Sequence, residues 1–258
     1  MNAVLADTWH MSVRHLRILA RQPWWIAVSL AQPIIYLLLY GALFKRVVEI
    51  PGFQSGSYID FLTPGIVVTS ALFSGGWGGM SVIDDLDKGV VDRFLVTPAS
   101  RFALIAGRLV QGTIVVVIQS LIVLALGLAV GARFDGGVLG VAVLFACAVL
   151  LGTAFGSLSS ALALIMRREE SVIAAVQFVI LPLTFLSAVF MQVSLAPGWI
   201  QTAARFNPLN WSVEAGREAM SAHVDWSTVS THAAYLVLFA IASGFLATRA
   251  FRSYQRSV

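Results

Sequence analysis

The sequence predicts an all-α membrane protein with six transmembrane helices. Three observations carry that prediction. Six apolar stretches are each long enough to cross a bilayer, which takes roughly 20 residues. Asp, Glu, Lys and Arg are almost absent from the interiors of these stretches and collect between them. The Lys and Arg favour every second gap, as basic residues do in cytoplasmic loops. The spans are expected at about 24–44, 58–82, 103–130, 138–166, 172–193 and 229–248. Continuous apolar runs of this length are unlike barrel strands, which alternate every second residue.

Composition agrees. Of 258 residues, 58% are hydrophobic and 12% charged, and the mean hydropathy is +0.84. Soluble domains run at about a quarter charged, and the six runs leave no room for one of ordinary size. The net charge of +4 fits the basic bias of inner loops, so no nucleic-acid partner is expected. Cys147 is the sole cysteine. It excludes an intrachain disulfide or a cysteine-based metal cluster and sits mid-span as a small apolar filler.

Taken in order, residues 1–22 place Asp7, His10, Arg14, Arg17 and Arg21 on one helical face and Leu5, Trp9, Val13, Leu16 and Ala20 on another. That pattern predicts an amphipathic helix lying in the inner headgroup layer or packed on a partner. It is not the pattern of a cleavable signal peptide. Pro33 and Pro182 predict bends in the first and fifth spans, which neighbouring helices tolerate in a membrane. The third and fourth spans exceed the need and predict tilt. With the first end inside, Arg14, Arg17, Arg21, Lys88, Arg93, Arg101, Arg108, Arg167, Arg168, Arg249, Arg252 and Arg256 fall on the inner side. Only Lys45, Arg46, Arg133, Arg205 and Arg217 fall outside, so both termini are expected in the cytoplasm.

Polar residues within the spans are few and uncharged: Gln32, Gln111, Gln119, Gln177, Thr184, Ser157, Ser159 and Ser160. Hydrogen bonds between helices are the expected use of most of them. Gly75-Gly76-Trp77-Gly78-Gly79 predicts close helix approach or a bend. Gly152 with Gly156 forms a small-xxx-small pair suited to packing.

Two gaps carry motifs. The inner one reads Asp84-Asp85-Leu86-Asp87-Lys88-Gly89-Val90-Val91-Asp92-Arg93-Phe94-Leu95-Val96-Thr97-Pro98-Ala99-Ser100-Arg101. Gly89 can end one helix, and residues 90–95 can form a short second one before Thr97-Pro98 breaks it. Such a helix suits a groove on another protein, although a solvated loop would have the same composition. The outer gap reads as two short helices, about 199–206 and 211–222, broken at Asn207-Pro208. Asn210 or Ser212 could cap the second, with Glu214 and Arg217 one turn apart. Trp199, Phe206 and Trp211 suit an interfacial seat.

The acidic run, Gly89, and then Asp92, Leu95, Thr97-Pro98, Ser100 and Arg101 resemble the signature of the ABC type 2 transporter permease family. That family includes daunorubicin-resistance drug permeases and polysaccharide and lipopolysaccharide export permeases. Pro197 and Asn207-Pro208-Leu209…Arg217 are similar to the family's stretch between the last two spans. Asp92 departs from the glutamate of many members and keeps the charge with a shorter reach.

The resemblance implies a permease pair working with a separate ATP-binding subunit that docks on the 84–101 segment. It implies ATPase-coupling roles for Asp85, Gly89, Asp92, Arg93, Pro98 and Arg101. Over 197–222 it implies a partly re-entrant outer cap involving Asn207, Pro208, Glu214 and Arg217, where an anchored surface helix is the alternative. ATP and Mg²⁺ would belong to the partner, because no G-x-x-x-x-G-K-[ST] loop occurs in this sequence. Six helices make a thin wall around a large amphipath, so a homodimer is expected, with the path between copies. Phe73, Trp77, Phe178 and Phe185 are its candidate lining residues. Arg167-Arg168-Glu169-Glu170 reads as a solvated turn serving topology, or as a second docking contact.

The expected role is a bacterial plasma-membrane exporter subunit for an amphipathic drug, antibiotic or lipid. Export of a lipid-linked polysaccharide is the alternative. An ion-coupled transporter would place ionisable side chains deep inside the membrane, and none is found at the centre of the runs. An enzyme is disfavoured: neither H-E-x-x-H nor G-x-S-x-G occurs, no catalytic residue is assigned, and no resident metal or cofactor is expected.

Overall fold

The computed structural model describes residues 23–53, 55–88 and 101–255. The expected amphipathic segment 1–22 lies outside these residues, as do Gly89, Asp92, Arg93 and Pro98 of the inner gap. Among the described residues every regular element is helical. The α-helices are α1 (Pro23–Leu43), α2 (Tyr58–Gly76), α3 (Met80–Asp87), α4 (Arg101–Val130) and α5 (Gly137–Met166). They are followed by α6 (Glu169–Phe185), α7 (Gly198–Arg205), α8 (Pro208–Ala219) and α9 (Trp226–Gln255). The stretches Tyr58–Asp87, Val110–Val130, Gly137–Met166 and Trp226–Arg252 are long and apolar enough to cross a membrane, and Val28–Leu43 in α1 is a shorter apolar stretch.

Helices α2 and α5 form the centre. α5 packs on α9, α2, α8, α4 and α6, while α2 also meets α4, α1 and α8. α2 is enclosed on all sides from Phe61 to Leu72. Apolar burial does not drive association between helices in lipid, so close approach at small residues takes its place. The glycines noted in the sequence supply that seam. A Cβ on Gly75 would overlap the Gly152 carbonyl oxygen, and one on Gly78 would meet the Gly156 Cα at 3.6 Å.

Within this seam α2 tightens into a 3-10 turn at Trp77–Gly79 and continues as α3. The change of hydrogen-bond pattern leaves backbone groups to be satisfied, and Ser159 of α5 does so. Its hydroxyl donates to the Gly76 carbonyl and accepts from the Gly79 N–H at 3.0 Å. Ser159→Ala is therefore expected to lower stability by about 1–2 kcal/mol. Ser157→Ala should cost less than half as much, because the Ser157 hydroxyl bonds the Thr153 carbonyl of its own helix. Thermal denaturation of both variants in detergent checks this, and equal losses would reject the bridging role.

The other hydroxyls correct an expectation. Ser160, Thr184 and Ser157 reach the carbonyl four residues back in their own helices. A short hydroxyl side chain meets that oxygen before it can reach a neighbour. Besides Ser159, Gln119 does cross between helices, donating to the Ser29 hydroxyl at 2.8 Å.

The charged turn between α5 and α6 has a local cause. Arg167 takes a left-handed conformation at the end of α5, with φ 53°. Glu169 and Glu170 then open α6, where the helix dipole favours negative charge. Residues 167–170 are all exposed, and the Arg167 guanidinium lies 4.7 Å from the centroid of the Tyr254 ring of α9.

Candidate functional site

The fifth apolar stretch does not stay helical to residue 193. α6 ends at Phe185, and the chain beyond it is irregular as far as the 3-10 turn at Val193–Leu195. Pro182 lies in the last turn of α6 and has no N–H to give to the helical ladder. Ser187, Ala188 and Val189 nevertheless remain buried. Irregular buried backbone persists only where protein groups satisfy it, and the segment 197–222 provides them.

Asn207 precedes α8, and its Oδ1 accepts from the Leu209 N–H at 2.9 Å. Pro208 follows at the start of the helix, a position that loses nothing by lacking an N–H. The same Asn207 side chain uses its Nδ2 to donate to the carbonyls of Leu183 (2.7 Å) and Leu186 (2.8 Å). One amide thus starts α8 and finishes α6. Asn207, rather than Asn210 or Ser212, caps α8; Asn followed by Pro at a helix entry is the signal the sequence offers.

Asn210 and Arg217, about two turns apart on α8, both hold Ala188. Asn210 Oδ1 accepts from the Ala188 N–H at 2.8 Å, and Arg217 Nη2 donates to the Ala188 carbonyl at 2.8 Å. Arg217 also donates from Nε (3.2 Å) and Nη2 (3.0 Å) to the Phe61 carbonyl of α2. Its guanidinium lies 3.6 Å from the centre of the Phe61 ring. Burial pushes the pKa of this guanidinium down to about 9, opposed by the charge of Glu214 and by Tyr58, so it stays protonated at neutral pH. The Tyr58 hydroxyl donates to the Phe190 carbonyl at 2.9 Å, and the Phe190 ring meets Tyr40 edge-on at 4.9 Å.

The cap is also clamped to α5. A Cβ on either Gly136 or Gly140 would overlap the Ala219 carbonyl oxygen, and the Gly136 N–H donates to the Met220 carbonyl at 3.1 Å. Glu214 turns the other way from Arg217. Its carboxylate lies 3.4 Å from His232 Nε2 of α9, beside a cleft of about 840 Å³ between α7, α8 and α9.

The structure therefore gathers Asn207, Pro208 and Arg217 into one cluster with the break in the fifth stretch, with Glu214 on its outer rim. Tyr58, Phe61 and Asn210 belong to this cluster without any sequence signal for it, because their partners are backbone groups distant in the chain. The four candidate lining residues are not brought together as one surface. Phe178 and Phe185 share a face of α6 that is 81% and 66% exposed, opposite the buried stripe Val172, Val176, Ile180 and Thr184. Phe73, near the end of α2, and Trp77, in the 3-10 turn that follows it, are half-buried. In the coupling set, Asp85 is half-buried on α3 and Arg101 opens α4.

The pattern that defines the ABC-2 type transporter family matches residues 6–221, which include the 84–101 gap and all of α7 and α8. Over 188 residues, 73% of this chain, it is 31% identical to the daunorubicin resistance ABC transporter permease protein of Streptomyces coeruleorubidus, and it spans 65% of that relative's length. It is 28% identical to a putative transport permease of Cyanophora paradoxa over 81% of this chain and 71% of the relative. Nodulation protein J of Rhizobium leguminosarum bv. trifolii matches at 30% over 86% of this chain and 84% of its own length. The chain belongs to the ABC-2 type transporter family.

Proposed function

We propose that this chain is the membrane permease subunit of an ATP-driven exporter, powered by a separate ATP-binding subunit, with an amphipathic drug, antibiotic or lipid as cargo. It crosses a bacterial plasma membrane six times with both termini cytoplasmic; α1 and α6, with the irregular chain that follows α6, complete the count. Two copies form the path between them. The drug-type cargo rests on the likeness to the daunorubicin resistance relative.

The observation that carries the mechanism is the continuity of Tyr58–Asp87. Its outer end is tied into the cap through the Tyr58 hydroxyl and the Phe61 carbonyl. Its inner end runs through Asp84-Asp85-Leu86-Asp87 into the 84–101 segment. An ATPase seated on Asp85, Gly89, Asp92, Arg93, Pro98 and Arg101 would pull one end of a rod whose other end closes the outer face. The Lys88–Asp84 pair, 3.6 Å apart and exposed on both sides, contributes little to α3 itself. ATP and Mg²⁺ sit on the ATPase in this scheme.

Asp92→Ala and Arg93→Ala test it. Truncating one side of a buried charged contact costs about 2–5 kcal/mol. Both variants are expected to lose the ATPase in pull-down, or to lose substrate-stimulated ATP hydrolysis, while still inserting in the membrane. Wild-type transport by both would reject the docking role.

A further inference from the structure

The cleft between α7, α8 and α9 lies beside the residues that hold the break after α6 and has no part in the coupling route. Its volume, about 840 Å³, falls in the range of small-molecule sites. Its chemistry is selective. Glu214 presents a carboxylate, and Trp211 and Tyr235 stand beside it with ring centres 5.3 Å apart. The Trp211 indole N–H is already committed to the Arg205 carbonyl at 2.7 Å, which leaves its π surface for a ligand. His232 lies 3.4 Å from Glu214 through Nε2. Its Nδ1 is buried with no hydrogen-bond partner among the described residues.

We propose that this cleft binds the ammonium head of an amphipathic molecule. The carboxylate supplies the opposite charge, and the aromatic rings attract a cation through their faces. Phe206, on the wall of the cleft and exposed, gives the tail an apolar surface. Arg205, exposed at the mouth, favours a head with an anionic group beside the ammonium. Two sources share that chemistry: an aminophospholipid headgroup and a non-lipid amphipath in transit. The site stands apart from the docking proposal, because its occupancy is measured with no ATPase present.

The test uses the full chain in nanodiscs of phosphatidylglycerol, which carries no ammonium group. A diazirine-bearing long-chain alkylammonium is photolysed alongside its alcohol and sulfate analogues. Labelling of peptides within 193–235 is read by mass spectrometry against labelling elsewhere on the same chain. The ammonium probe is expected to label this region preferentially. Glu214→Gln, and separately Tyr235→Leu, should reduce that labelling about tenfold relative to labelling elsewhere on the same folded chain, the factor expected for about 1.4 kcal/mol. Equal labelling by the three probes, or unchanged labelling in Glu214→Gln, overturns the site. Phosphatidylethanolamine added to the nanodisc then assigns the source. Loss of the Glu214-dependent signal identifies the lipid headgroup, and its persistence identifies a non-lipid amphipath.

Discussion

Arg217→Ala is expected to destabilise the chain by about 3 kcal/mol, since hydrogen bonds from a charged donor are worth about 1.5–3 kcal/mol each and their loss strands buried acceptors. Two carbonyls lose their donor at once, Phe61 on α2 and Ala188 on the irregular chain after α6. The Phe61 ring also loses the guanidinium stacked on it. Arg217→Lys keeps the charge but gives up the planar fork that reaches two oxygens together, and should fall between alanine and wild type. Arg205→Ala, on an exposed side chain of α7, is the control and should stay within about 0.5 kcal/mol. Thermal unfolding of the purified proteins in one detergent ranks the four. If Arg217→Ala melts with Arg205→Ala, the guanidinium is not what holds the break.

The second large effect belongs to the seam between α2 and α5. Gly75→Val drives a Cβ into the backbone oxygen of Gly152. Backbone cannot swing aside as a side chain can. Overpacking in a close-packed core costs about 1–3 kcal/mol, and this contact should reach the upper end. The two helices must separate, which also strains the Ser159 bridge one turn away. Gly112→Ala makes the contrast. Gly112 lies in α4, where a Cβ would meet nothing within 4 Å, so the change should be neutral or stabilising by about 0.4–1 kcal/mol. Membrane-inserted yield and melting temperature read both outcomes, and a wild-type melting temperature for Gly75→Val would show that the seam gives way.

Helix ends show how far the residues alone can be read. Expected spans at 58–82, 103–130 and 138–166 lie within Tyr58–Asp87, Arg101–Val130 and Gly137–Met166, because hydrophobic length and bilayer thickness are matched by solvation alone. The stretch 172–193 departs from expectation at its C-terminal end for a related reason. Residues 186–193 are as apolar as a helix would be, and hydropathy does not record whether backbone groups bond within the helix or to a side chain elsewhere. Asn207, Asn210 and Arg217 compete for those groups, and they come from a segment about 20 to 30 residues further along the chain.

The sequence by itself determined the helical membrane class, the placing of charge outside the apolar runs, the glycine seam and the signatures of the family. The first three follow from solvation, or from the size of a residue at its own position; the signatures rest on likeness to other sequences. Only the tertiary structure decided that the fifth stretch breaks after Phe185, that Ser159 bridges the tightened turn of the second, and that Glu214 faces His232 rather than Arg217. Those outcomes depend on which buried backbone group lies within hydrogen-bond reach of which side chain. That is a property of helices brought together in space, and a linear pattern does not contain it.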